Sequence, residues 1–449
     1  MKKVLGIVLL VMILTVGCAN DTNSTGGSEE GEQNKEANTK NEMVINVTYK
    51  EVDGYDEWLE ASKAEFEETY PGIKVKLSKM SSNEGDYNTK TSLMLQSDDT
   101  IDVMVVDSFL APSLVATGSL AELPVESWED WESEYPSNIR EGMSFGGNVY
   151  AIPYTTDTRG LYYNADIFNE VGIQTPWEPR SWDEVIATVE KLHEAGIAYP
   201  IWMNGSKAQG EGTTMQTFEM LLAGTNDWLY EDDKWVVTSQ GFLDALTFIE
   251  NLYNMGIYEN TELATMLDAN SWQVLNEKMP ASQEVAIALD GNWKSGDWIK
   301  ALPDTHQDVI KITPMPNKDG NGFASMSGGW TLAVPEMSDA KEEAFNFIKI
   351  ALNKENILNF SLAGGDMAVR KDVAQNADYT EQNIYRAQMS EYTEYTKFRP
   401  GVEAYPSVSI EIQAAVESVI TGQMTAEEAM MVYAENVKSI VNEDEYVSK

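Results

Sequence analysis

The chain has 449 residues, more than one ordinary hydrophobic core accommodates, so two or more lobes are expected. Its 43% hydrophobic content excludes a chain disordered throughout. Against 31 Lys and Arg stand 73 Asp and Glu, a formal charge of −42, which speaks against nucleic acid and against an anionic membrane surface as partners. Such an acidic surface suits solubility and names no ligand. His193 and His306 have no cysteine or second histidine near them in sequence, so a histidine-built metal site and a cofactor are not expected.

Lys2 and Lys3 open the chain and are followed by an uncharged, largely apolar stretch from Val4 to Val16. That stretch falls short of the roughly 20 residues that span a bilayer and has the length of a signal-peptide core. Cys18 comes just after it and is the only cysteine, so no internal disulfide can form. Leu14-Thr-Val-Gly-Cys-Ala19 resembles a bacterial lipobox, with Thr15 where an aliphatic residue is usual. The position predicts a lipid on Cys18; an ordinary secretory signal with an incidental cysteine is the alternative. Residues 20–42 are dominated by Asn, Asp, Ser, Thr, Gly, Glu and Gln and read as a flexible tether.

Beyond the tether, strands and helices alternate. Val44–Tyr49 is a strand candidate. Asp56–Tyr70 is a helix ended by Pro71-Gly72, and Ile73, Val75 and Leu77 alternate with polar residues as in a strand. Tyr87–Gln96 reads as a helix, Ile101–Val106 as a strand buried on both faces, and Phe109–Thr117 as a helix ended by Gly118. This order implies a parallel sheet. Ligands of such sheets lie beyond the carboxyl ends of the strands, here at Glu51 and Asp53, Met80 to Asn83, and Asp107 and Ser108.

Residues 124–148 read as irregular, and a second lobe is expected to begin after Tyr150-Ala-Ile-Pro153. Ser181-Trp-Asp-Glu184 predicts a capping box and a helix behind it. Helical stretches are expected near 215–223 and 240–254, and strands at Val285–Leu289, Ile310–Thr313 and Trp330–Val334. The segment 320–329 is expected to be a loop. An amphipathic helix is predicted over Asp339–Leu352, and a last helix behind the capping box Thr425-Ala-Glu-Glu428.

Five segments, in order, resemble the extracellular solute-binding proteins of ABC importers, in the maltose and multiple-sugar group. They are Asp102–Asp107 with Gly118–Pro124; Tyr150–Asn164 followed by Ser181–Glu184; Ala288-Leu-Asp-Gly-Asn-Trp293; Ser327-Gly-Gly-Trp-Thr-Leu-Ala-Val334; and Met367–Val373. In the last, Ala368 and Val369 replace the usual pattern with Pro before Arg. The resemblance spans nearly the whole chain after the tether. It implies a two-lobed α/β fold of the periplasmic-binding-protein type (type II), with the ligand in a cleft between hinge-joined lobes. By resemblance the organisation is a signal peptide at 1–17, the lipidated cysteine and tether at 18–42, a first lobe of 43–153 plus 326–366, and a second of 154–325 plus 367–449. The implied partners are a carbohydrate, the permease subunits of an ABC importer, and the membrane through Cys18. The chain would act as an extracytoplasmic monomer that catalyses nothing.

A sugar offers hydroxyls at its rim and slightly positive C–H groups on its faces, which suit carboxylates, amides and the negative faces of aromatic rings. The chain holds 12 Trp and 20 Tyr. Trp293, beside Asp290 and Asn292, matches a stacking tryptophan of the family; a core role is the alternative. Asp157 corresponds to a ligand-binding acid in relatives, or pairs with Arg159 to stabilise a hinge. Asp107 and Ser108 either meet ligand or cap a helix, with Glu51 at a neighbouring strand end. Gly328 and Gly329 would permit hinge torsions, and Trp330 would stack on ligand or pack in the hinge. Arg399 and Arg370 contact ligand or form ion pairs. Tyr154, Tyr162 and Trp202 are weaker candidates. Competing functions are a receptor for a non-sugar solute, an adhesin or sensor, and a secreted glycoside hydrolase, which would need two carboxylates flanking one bond.

Overall fold

The computed structural model describes residues 43–449 apart from 53, 81–83, 98–99, 259, 283 and 365. The signal sequence, Cys18, the tether and Asp53 therefore lie outside the described residues. Residues 42–449 form one compact unit.

Nine strands organise it: β1 (Met43–Lys50), β2 (Ile73–Met80), β3 (Val103–Asp107), β4 (Ala151–Pro153), β5 (Arg159–Asn164), β6 (Ile287–Gly291), β7 (Ile310–Thr313), β8 (Phe323–Ser327) and β9 (Trp330–Ala333). The first sheet has the order β2-β1-β3-β9-β4. The first three are parallel, as their alternation with helices dictates. β9 and β4 then pair antiparallel, a mixed edge that the strand-helix alternation did not foreshadow. The second sheet has the order β6-β5-β7 and is antiparallel.

Successive residues on a strand point to opposite faces, and the first sheet uses this to serve two cores. Ile45, Val47, Val103, Val105 and Leu332 face a core shared with the helices Tyr55–Thr69, Lys341–Ala351 and Lys354–Gly364. Met104, Val106 and Ala333 face the other way and are continuous with the larger core around β5 and β6. Phe109, whose ring meets Tyr405 at 5.7 Å, belongs to that same core. Ala368, Val369, Val373 and Tyr379 pack into the smaller core, and Tyr385 and Met389 into the larger. The last change of core thus falls between Tyr379 and Tyr385, later than the boundary at 366 drawn from the sequence.

Several local expectations change. The predicted loop over 320–329 contains β8, which pairs with Met315–Pro316 on one side and Thr396–Phe398 on the other. The expected helix near 215–223 begins earlier, as a π-helical turn over Gly212–Glu219, a form frequent at functional sites. The Ser181 cap is half-built. Its hydroxyl accepts the Glu184 N–H, but the Glu184 carboxylate takes the N–H of Arg180. The box at Thr425 is reciprocal, as predicted.

Candidate functional site

The chain passes between the two cores at β4–β5 and again at β8–β9, and the two passages are knotted together. Ser327 Oγ donates to the Asp157 carbonyl at 2.8 Å, and the Gly328 N–H donates to Asp157 Oδ1 at 2.7 Å. The Trp330 N–H donates to Thr155 Oγ1 at 3.0 Å. Gly329 has φ +144°, and a Cβ there would stand 2.1 Å from the Thr155 carbonyl oxygen. Only glycine permits both the torsion and the approach.

Beside this knot opens a cavity of about 1320 Å³, above the roughly 300–1,000 Å³ usual for small-ligand sites. It is lined by Glu51, Asp107, Asp157, Asp290, Trp293, Gly329, Trp330 and Arg399. Other candidates are elsewhere. Asn292 is fully buried and exchanges hydrogen bonds with Thr158: its Oδ1 accepts the Thr158 N–H at 2.9 Å, and its own N–H donates to the Thr158 carbonyl at 3.1 Å. It clamps the ends of β5 and β6. Ser108 donates its N–H to the Gly329 carbonyl at 3.0 Å and opens a short turn. Neither lines the cavity. Tyr154 and Tyr162 are core residues, Trp202 is buried in the cavity wall, and Arg370 pairs with Asp130 and Asp372 away from it.

Trp293 is half-buried and follows β6. Its ring folds back over Gly291, where a Cβ would stand 2.1 Å from the indole. The guanidinium of Arg159 lies 4.9 Å from the ring centroid and also pairs with Asp157 Oδ1. Arg159 therefore ties Trp293 to Asp157 within one groove. Asp290 is buried, which raises its pKa against the pull of Lys294 and of the Gly291 N–H. On the first sheet, Trp330 is half-buried with the Lys50 ammonium 4.6 Å from its ring centroid.

A third part of the wall is an internally answered charge cluster. The Arg399 side chain, 6% exposed, donates to Asp107 Oδ1 at 2.8 Å and to Glu211 Oε2 at 3.2 Å, with its guanidinium 4.5 Å from the Phe109 ring. Burial opposes its charge, but Asp107 and Glu211 outweigh this and hold its pKa well above the ordinary value. Tyr405 donates from one hydroxyl position shared between Glu211 and Glu219, at 3.0 and 2.9 Å, and Ser409 donates to Glu211. Burial, then the charge of Glu211, pushes Glu219 up to about 8.

Sequence reasoning missed Glu211, Lys50, Asp366 and Trp272 among the lining residues. Trp272 is 40% exposed and faces Lys294, whose ammonium is 5.7 Å from its ring. A tryptophan among polar neighbours, Asn270-Ser-Trp-Gln273, was the available signal. Among the described residues no group of three or more His, Cys, Asp or Glu is placed to hold a metal ion, and no helix is long and apolar enough to cross a membrane.

The family described as bacterial extracellular solute-binding protein matches residues 50–357. The chain is 20% identical over 279 residues to putative binding proteins of Brucella abortus and Brucella suis, spanning 62% of itself and 64% of their length. It is 22% identical over 403 residues to the mannitol-binding protein of Pseudomonas aeruginosa, 81% of this chain and 86% of that one. Among solved structures, maltose-bound T. maritima MalE3 superposes with a TM-score of 0.77 at 22% identity, covering 89% of this chain and all of that one. A solute-binding protein of Thermotoga lettingae bound with α-D-tagatose gives 0.76 at 25% identity, covering 89% and 100%. The two-lobed α/β fold follows from these superpositions.

Proposed function

The chain belongs to the bacterial extracellular solute-binding proteins, and on that premise we propose that it captures a carbohydrate in its cavity by closure of two lobes and delivers it to an ATP-driven importer. The observation that carries this reading is the lining: half-buried indoles, Trp293 and Trp330, on walls built from different sheets, with carboxylates and amides around them. Flat apolar rings with bidentate acceptors beside them match a pyranose or polyol. Acidic side chains outnumber basic ones in the lining, which favours a neutral ligand over an anion. The mannitol-, maltose- and tagatose-binding relatives support the same class. The cavity volume suits more than one sugar ring.

In this reading Trp293, Asp157, Asp290, Gly329, Trp330 and Glu51 form the binding surface, while Asp107 and Arg399 complete its wall. The first lobe comprises 43–153 and 326–366 and the second 154–325 and 367–449, with Ala368, Val369, Val373 and Tyr379 packed into the core of the first. A ligand touching both walls selects the closed arrangement. Lipid on Cys18 and the tether through 42 hold the monomeric protein outside the cytoplasmic membrane, beside its permease partners.

Maltose, mannitol, tagatose, mannobiose and arabino-oligosaccharides, screened by thermal shift, test the reading. At least one should raise the melting temperature, since a ligand that binds only the folded state stabilises it. No shift with any polyol or oligosaccharide, against a shift with peptides or polyamines, would overturn it. Release of reducing sugar from the oligosaccharides would replace it with hydrolysis.

A further inference from the structure

Asp366 is a cavity-lining carboxylate that the site as described does not use. It lies between the helix Lys354–Gly364 and the two-residue strand Met367–Ala368, half-buried. Among the described residues none donates a hydrogen bond to it. The charges that face it are Arg386 from the helix Ile384–Glu391, Asp157 from the β4–β5 passage and Lys50 from the end of β1. The hydroxyls of Tyr55, Tyr154 and Tyr379 share its surroundings. Both cations are otherwise directed. Arg386 donates to the carbonyls of Tyr379 and Ser361, and the Lys50 ammonium sits over Trp330. A half-buried carboxylate that faces a cavity and accepts from no protein donor keeps its acceptor sites available to a ligand.

We propose that Asp366 is a ligand-binding residue, whose carboxylate accepts hydroxyl hydrogen bonds from a sugar ring held in the cavity that Trp330 also lines, and that the sugar's arrival displaces a proton from it. The proposal rests on the carbohydrate reading above. Burial raises Asp366 to about 7, with Arg386 and Lys50 pulling it down and Asp157 pushing it up. The free protein near neutral pH is thus a mixture of protonated and ionised forms. Hydroxyl donors stabilise the ionised form and lower the pKa on binding. Affinity then rises with pH, by about tenfold between pH 6 and 8, and about half a proton is released per ligand at pH 7. A ligand presenting its own carboxylate would give the opposite sign, proton uptake.

Isothermal titration of the whole mature protein with maltose, mannobiose and an arabino-oligosaccharide, in two buffers of different ionisation enthalpy, counts the protons. Wild type should release them. Asp366→Asn should bind at least tenfold more weakly at pH 8, lose the proton release and lose the pH slope, with an undiminished melting temperature in the absence of sugar. Asp366→Ala serves as the second variant and should lose the same slope. Because Asp290 and Glu211 in the same wall are also raised by burial, proton release that survives in both variants assigns it to another group and overturns the proposal, while the carbohydrate reading stands. Proton uptake by wild type overturns it as well. A wild-type protein that binds none of these sugars, nor mannitol or tagatose in the same titration, overturns the carbohydrate reading and this proposal with it.

Discussion

Two parts of the cavity wall treat buried charge in opposite ways. Around Arg399, a guanidinium is answered by Asp107 and Glu211, and Glu211 is answered in turn by Ser409 and Tyr405. Around Trp293 and Trp330, the indoles stay half-exposed, and Asp366 has no donor at all among the described residues. A carboxylate in a cavity wall is therefore not a ligand residue by position alone. Asp107 accepts from Arg399 and from the Phe109 N–H, whereas Asp366 accepts from no described residue. The first arrangement predicts loss of stability on mutation, the second loss of affinity.

The largest expected effect tests the first half of that contrast. Arg399→Ala leaves two buried carboxylates facing each other and should cost about 3–5 kcal/mol of stability in urea denaturation. A variant of native stability with weakened sugar binding would reassign Arg399 to the ligand. Next, Glu219 is raised from 4.5 to about 8, so between about pH 5 and 8 the folded protein holds a proton that the unfolded chain has lost. Stability contributed by this group falls as pH rises through that window. Glu219→Gln should gain stability relative to wild type from pH 5 to 8, read from paired melting curves; a constant difference would refute the assignment.

Gly329→Ala forces a side chain into the Thr155 carbonyl at a positive φ and should lower stability by about 1–3 kcal/mol, with slower or incomplete closure seen by small-angle scattering on adding sugar. Trp293→Ala should leave the melting temperature of the free protein within a few degrees and weaken sugar binding at least tenfold, or about 1.4 kcal/mol. Unchanged affinity in calorimetry removes Trp293 from the site. The smallest effect is expected at Trp272. Its removal should reduce affinity for oligosaccharides several-fold, within the roughly 0.5–1.5 kcal/mol of an aromatic contact, and leave a monosaccharide unaffected. Equal losses for both would place Trp272 inside the first sugar's site instead of beyond it.

What sequence could and could not reveal divides along the same line. Asp157 was open between ligand and hinge, and in the structure it is pinned by Arg159 and the Gly328 N–H while still lining the cavity. Asn292 looked like a partner of Trp293, yet its amide is committed to Thr158. Adjacent residues leave a strand end in different directions, and sequence proximity does not say which one meets the groove. Asp366 and Glu211 carried no pattern at all. Their environment is assembled from segments more than a hundred residues apart, as between Glu211 and Arg399.

The sequence by itself determined the strand and helix alternation of the first sheet, the helix starts at Ser181 and Thr425, and the family, because periodicity, caps and ordered local motifs are written in neighbouring residues. Tertiary structure alone decided that β9 enters the first sheet antiparallel, that β8 replaces an expected loop, and that Ala368, Val369, Val373 and Tyr379 join the smaller core. It also decided which acids are neutralised and which remain open to a ligand. Those outcomes depend on distances across the fold, where a single partner such as Arg399 turns a candidate binding group into part of the wall.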